Sequence, residues 1–319
     1  MPRALLGRSR LVGIALGSIL CLMVAPWSGP RLQAQQQGQL YISVLDAQGA
    51  PVTDLEAGDI SVQVDDADAK IVKLEPVSKP MKLTVMIDNG QATSNSLANL
   101  RTSLKGFFES IPADVETSLL TTAPQPRWIV RPTKDRQQLL KGVDLIAPDS
   151  GAALFFDALV EAGNRVDKDK SDHLPVFMML ASDIGRNSSA MDKEWERLQK
   201  QVIQRAITVH FVILHSGGER VGAVAGALQT EVGLALTKMS GGRYENIAAN
   251  TRLTTLLPEF AQQITQSNLR QTHQYRVTFE RQGKDTKGAA QKISAGISRL
   301  RIGVLPMLSV DGHMPVGAP

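Results

Sequence analysis

The sequence predicts an α/β protein: a doubly wound, mostly parallel sheet with a small flanking β-domain formed by N- and C-terminal strands. Three observations predict it. From residue 81 to residue 266, apolar strand patterns alternate with segments of helical periodicity. Two runs, at 174–181 and 207–214, are almost continuously apolar, as strands buried on both faces must be. On either side of this region the pattern changes to period-two alternation broken by turn residues, which reads as antiparallel β-structure.

Taken in order, residues 1–34 read as a secretion signal. Arg3, Arg8 and Arg10 precede an apolar run at 11–25, and a breaker-rich exit follows from Pro26 to Ala34. That run is shorter than the roughly 20 residues a membrane span needs. Cleavage and release to the periplasm or medium is therefore the expectation, with an uncleaved inner-membrane anchor as the alternative. Cys21 is the one cysteine and lies inside the run behind Leu20, where a lipid-attachment cysteine would want a small neighbour. It reads as part of the signal core. After cleavage nothing in the chain inserts into a membrane.

Residues 35–79 form an N-terminal β segment with strands at 40–46, 60–64 and 71–74. The turn at 65–68 holds Asp65, Asp66 and Asp68. It lacks the glycine and the distal glutamate of a calcium loop, so it reads as a solvated turn. Residues 80–270 form the α/β domain. Strands are expected at 83–87, 115–122, 127–131, 174–181, 207–214 and 243–246, and helices at 94–110, 133–145, 152–163, 190–205, 232–239 and 253–266. The first helix carries Leu97, Leu100, Leu104, Phe107 and Phe108 at helical spacing. The helix at 232–239 runs into Ser240-Gly-Gly242, a glycine stop. Residues 271–319 return to strands at 273–281, 290–295 and 300–305, followed by a tail.

Charge excludes some partners. The chain holds 35 basic and 31 acidic residues. Four of the basic ones (Arg3, Arg8, Arg10 and Arg31) lie in the first 34 residues with no acid beside them. The remainder balances 31 against 31, which gives no footing for nucleic acid. Motifs exclude some chemistries as well. There is no G-x-S-x-G elbow, no phosphate loop with Gly-Lys-Ser/Thr, no G-x-G-x-x-G after the first strand of the α/β domain and no H-E-x-x-H. The glycine-rich stretch with Gly217, Gly218, Gly222 and Gly226 has no Lys-Ser/Thr beside it and is a weak phosphate signal. His210 falls inside an apolar strand and reads as a hydrogen-bonded core residue. His215 reads as a loop residue. No constellation supports catalysis, and the protein reads as a non-enzyme.

What remains are acids at strand ends. Asp88 follows the strand at 83–87 in Ile87-Asp-Asn-Gly-Gln-Ala-Thr93, and Asp183 follows the strand at 174–181 in Ala181-Ser-Asp-Ile-Gly185. Between them lies Asp149-Ser-Gly-Ala-Ala-Leu-Phe-Phe-Asp-Ala-Leu159. Ligand chemistry in open α/β sheets collects at such strand ends.

Together these segments resemble a von Willebrand factor type A (vWA) domain, Rossmann-like in architecture. More closely the chain resembles the secreted bacterial VWFA-related family, known mainly from acidobacterial genomes. The lead-in from Val44 to Ile60, the Ser240-Gly-Gly-Arg-Tyr244 turn and the strand Gln274-Tyr-Arg-Val-Thr-Phe279 extend the resemblance over most of the mature chain. It implies a module for protein or cell-surface partners, with a metal-ion-dependent adhesion site built from Asp-x-Ser-x-Ser, a threonine and a third-loop aspartate around magnesium. Here Asp88 and Asp183 match the two acids. Gly90 and Ala92 replace the serines, Ala153 replaces the threonine, and Ile184 stands where a glycine is usual. With three hydroxyls gone, the expectation is a degenerate site with no cofactor, its loops (Asn89, Gly90, Ala92, Ala153, Ser182) forming a binding face. The alternatives are a magnesium-dependent adhesion module using Asp88 and Asp183 with Thr93, Ser94 or Ser182 as substitutes, and a hydrolase using the acids with His215.

Overall fold

The computed structural model describes residues 37–184, 191–215, 227–280, 293–298 and 303–306. The expected signal at 1–34 and the glycines at 217, 218, 222 and 226 lie outside them. Among the described residues no helix is long and apolar enough to cross a membrane.

The central sheet has six strands in the order β10-β9-β8-β5-β6-β7. They are β5 (Met81–Ile87), β6 (Glu116–Thr121), β7 (Arg127–Thr133), β8 (Leu174–Ser182), β9 (Thr208–Leu214) and β10 (Tyr244–Ile247). All neighbours are parallel except β7, which runs antiparallel to β6. The chain builds outward from β5 to β6 and β7, then returns to the other side of β5 for β8. The strand order therefore reverses at β5, and the crevice between the carboxyl ends of β6, β5 and β8 is the place where ligands bind in such sheets.

Period-two alternation explains why this sheet is buried on both faces. Along β8, Val176, Met178 and Leu180 join one core, while Phe177, Met179 and Ala181 join the other. The first core is closed by α1 (Leu97–Ser110), α2 (Arg136–Asp144) and α6 (Leu253–Gln271), and the second by α3 (Phe155–Lys168), α4 (Met191–Gln204) and α5 (Ala227–Ser240).

The flanking β-structure is made from both ends of the described chain. Strands β1 (Gln37–Leu45), β4 (Ile71–Val77), β11 (Gln274–Glu280) and β13 (Gly303–Pro306) form one sheet in the order β13-β1-β11-β4. Strands β2 (Ile60–Val64), β3 (Ala67–Ala69) and β12 (Ile293–Ile297) form a second, in the order β12-β2-β3. Leu40, Ile42, Val44, Val277 and Phe279 meet Ile60, Val62 and Val64 in a third core between them.

Several boundaries differ from the sequence expectation. The acids at 65–68 make a tight hairpin in which Asp65 and Asp66 take left-handed backbone (φ 51° and 64°), and Ala67 already begins β3. Thr133 belongs to β7, and the Asp135 side chain accepts the Gln137 and Gln138 N–H groups, so α2 starts three residues late. Helix α3 continues past Gly163 to Lys168, and a Cβ at 163 would lie 2.5 Å from Oε1 of Gln201 in α4. That glycine admits a neighbouring helix and does not stop its own.

Candidate functional site

At the carboxyl edge of the sheet, the first residue after each strand is still laced into the ladder. Asp88 N–H donates to the Leu180 carbonyl (2.8 Å), Thr122 to Ile87 (3.0 Å), Asp183 to Leu214 (3.1 Å) and His215 to Ile247 (3.0 Å). Side chains at these positions therefore stand on rigid backbone.

The structure brings Asp88, Gly90, Ala92 and Ala153 together with Ile184 around one shallow cleft of about 320 Å³. Asn89 is the hub that makes this possible. Its Oδ1 accepts the Ala123 N–H (3.0 Å), its Nδ2 donates to the Ala147 carbonyl (2.9 Å), and its own carbonyl accepts the Asp149 N–H (2.8 Å). One buried amide thus ties the loops after β5, β6 and α2 to each other. Asn89 is only 3% exposed, so it holds the face together and does not present itself to a partner.

Asp88 is 2% exposed and turned inward. Its Oδ1 accepts the Gly90 N–H (2.8 Å), and its Oδ2 accepts the Ser182 N–H (3.0 Å). The Ser182 hydroxyl lies 2.5 Å from the same Oδ2 and 2.6 Å from the Ile184 carbonyl. A single hydroxyl proton cannot serve both oxygens. Ser182 Oγ therefore donates to one of the two, and the Asp88 carboxyl is held as well by the Gly90 and Ser182 N–H groups. Burial pushes the Asp88 carboxyl up, opposed by the bonds from Ser182, Gly90 and Thr93. Repulsion from Asp183, the cause expected of two neighbouring acids, is not what raises it.

Asp183 is engaged elsewhere. Its Oδ2 lies 2.8 Å from Nδ1 of His215. The parallel register, with Ser182 opposite Leu214, makes Asp183 and His215 neighbours at the edge. Sequence reading placed His215 in a loop; adjacency of strand-end residues was the signal that could have found the pair. His210 is buried, accepts the Arg243 N–H at Nδ1 (3.1 Å) and meets the Phe260 ring edge-on, as a core histidine does.

The donor set does not fit a magnesium ion. Positions 90, 92 and 153 offer no hydroxyl. The proposed substitutes are turned into the loops: Thr93 Oγ1 lies 2.9 Å from the Asp88 carbonyl and 3.0 Å from the Gly90 carbonyl and donates its one proton to either, and Ser94 Oγ donates to the Gln91 carbonyl (2.9 Å). The loops are also closely packed around residue 90. A Cβ on residue 90 would meet the Gly151 carbonyl at 3.1 Å and Asp88 Oδ1 at 3.2 Å. Magnesium demands near-ideal octahedral oxygen geometry. No cluster of three or more His, Cys, Asp or Glu side chains that could hold a metal occurs among the described residues.

No protein-family model matches the chain, and no curated protein does so. Among solved structures it is similar to a von Willebrand factor type A protein from Catenulispora acidiphila, at 9% identity, over 85% of this chain and 73% of that one, with a TM-score of 0.48. What the chain resembles is the type A domain. It is also similar to the pilus adhesin SpaC from Lactobacillus rhamnosus GG (12% identity, 78% of this chain, 47% of that one, TM-score 0.49). A third is BatB from Bacteroides thetaiotaomicron (11% identity, 58% and 98%, TM-score 0.42). The chain thus spans about half the length of the pilus adhesin.

Proposed function

We propose that this is an exported, non-enzymatic type A-like module that binds a protein or cell-surface partner through the carboxyl edge of its sheet, without a metal. One observation carries the reading. Where a doubly wound sheet presents ligands, this chain offers uncharged residues (Gln91, Ala92, Ser150, Ala152) and a half-exposed Ile184 over the buried Gly90 and Ala153, while both acids are turned into internal bonds. Such an edge suits an apolar or neutral surface. It gives an acidic side chain of a partner no cation to bind.

Magnesium and manganese titration of the mature protein, followed by calorimetry and thermal melting, tests the metal half. No saturable heat and no shift in melting temperature are expected. A micromolar site abolished by Asp88→Ala would overturn the proposal in favour of a metal-dependent adhesion module. Photo-crosslinking from position 184 in the producing cell tests the other half: a discrete adduct is expected there, and its absence counts against this face.

One observation favours hydrolysis as a second reading, the imidazole–carboxylate pair of His215 and Asp183. Neither residue lines the cleft among its described walls, and the nearby Ser182 hydroxyl is bonded to Asp88. Ester or phosphoester turnover lost in His215→Ala would establish that reading.

A further inference from the structure

We propose that the opposite edge of the central sheet carries a second binding groove, which takes an acidic peptide segment bearing apolar side chains from a partner protein. Along the α3 side of β5 the residues run Met86, Thr84, Lys82, and along β6 they run Leu120, Ser118, Glu116. Met86 and Leu120 belong to the second core. One step on, the Thr84 and Ser118 hydroxyls pair at 3.1 Å. At the strand starts Lys82 meets Glu116 at 3.4 Å. The same sheet face therefore changes from apolar to polar to charged in two-residue steps, away from the carboxyl edge.

Helix α3 packs over β5 and β8, and Trp128 of β7 reaches it through an Nε1–H bond to Glu161 (3.0 Å). Between the last turns of α3 and β7 lies a groove of about 790 Å³. Its floor is Thr84, Ser118 and the Lys82 ion pairs, and Trp128 and Pro132 form one apolar wall.

The charges of this groove do not cancel. Lys82 engages both acids that line it, Asp169 at 2.6 Å and Glu116 at 3.4 Å, and His173 Nδ1 lies 3.8 Å from Asp169. Arg131, Arg165, Lys168 and Lys170 are exposed around the groove and form no ion pair with any described acid. Arg131 lies over the Trp128 ring, 6.0 Å from its centroid. The Lys82 ammonium and the Ser171 N–H hold Asp169 well below the usual carboxylate range, and burial pushes the His173 imidazole down. The surplus positive charge of the groove is therefore carried by the arginines and lysines of its rim.

Chemistry decides the occupant. A dense polyanion would meet Glu116 and Asp169 in the groove. A peptide that alternates acidic and apolar side chains sets its acids against the rim cations and its apolar groups on Trp128 and Pro132. Nothing in a near-neutral composition announces such a patch; the fold gathers it from β7, α3 and the α3–β8 turn.

The test is fluorescence anisotropy on the mature protein with a short labelled peptide alternating glutamate and leucine. Saturable binding that weakens with added salt is expected, because exposed charges are screened. The double variant Arg165→Glu/Lys168→Glu should bind about tenfold more weakly at low salt while melting at the same temperature. Ile184→Asp, at the other edge, should bind as the parent does. The proposal is overturned by absence of saturable binding, by equal binding of the double variant, by binding of heparin without binding of the peptide, or by a groove already occupied by a second copy of the chain.

Discussion

Asp88 and His210 are both buried titratable groups, and the fold shifts them in opposite senses. The folded state keeps a proton on Asp88 above the ordinary carboxyl value of 3.8, because burial opposes ionisation. Over the window from 3.8 up to that raised value the native protein binds more protons than the unfolded chain, so this group makes stability fall as pH rises. Asp88→Asn should abolish that decline in urea denaturation series at different pH. It should also lower stability by about 1–2 kcal/mol, since an amide nitrogen would face the Ser182 or Gly90 N–H. His210 is pushed down from 6.5 to about 4 by burial and by Arg243. The unfolded chain then takes up the proton first as pH falls, and stability drops between about 6.5 and about 4 by roughly 3 kcal/mol. His210→Gln should flatten that acid arm; an unchanged arm would show that another group causes it. Both roles were partly legible. An acid after a strand and a histidine within one can be seen in sequence, but the Ser182 hydroxyl that meets Asp88 cannot, because it comes from a strand 94 residues away.

At the scale of elements, glycines show how packing overrides local preference. Gly106 in α1 and Gly142 in α2 are alike by helix propensity, and alanine at either would favour the helix by about 1 kcal/mol. Their surroundings differ. A Cβ at 106 meets nothing within 4 Å, whereas one at 142 would lie 2.1 Å from Val130 Cγ2 on β7. Gly106→Ala should therefore raise the urea midpoint. Gly142→Ala should lower stability by about 1–3 kcal/mol, because a closely packed core cannot absorb the extra methyl without displacing α2. Equal effects of the two would refute the packing. Gly163 belongs with Gly142: the expected helix ended there, yet the residue lies inside α3 and admits Gln201. The helices and strands themselves were legible from periodicity. Their ends were less so, because a cap such as Asp135 or a contact such as Gly163–Gln201 involves partners outside the periodic pattern.

At the scale of the molecule, the two ends of the chain depend on each other. β11 lies between β1 and β4, joined to each by an antiparallel ladder. Ending the chain before Gln274 removes β11, β12 and β13, which should bare β1 on both sides, take a partner from β4 and from β2, and open the core around Leu40, Ile42 and Val44, with aggregation or loss of a single cooperative melt as the readout. A soluble truncated protein with an unchanged melt would show that the N-terminal strands hold without it. The sequence by itself determined the alternation of strands and helices, the burial of the sheet on both faces and the absence of hydroxyls at positions 90, 92 and 153. Each of these is a property of residue type and spacing along the chain. Tertiary structure alone decided that Asp88 turns inward to Ser182, that Asp183 meets His215 and that cations from three elements line one groove. Those facts depend on strand order and register, which bring together residues far apart in sequence, and no local pattern encodes them.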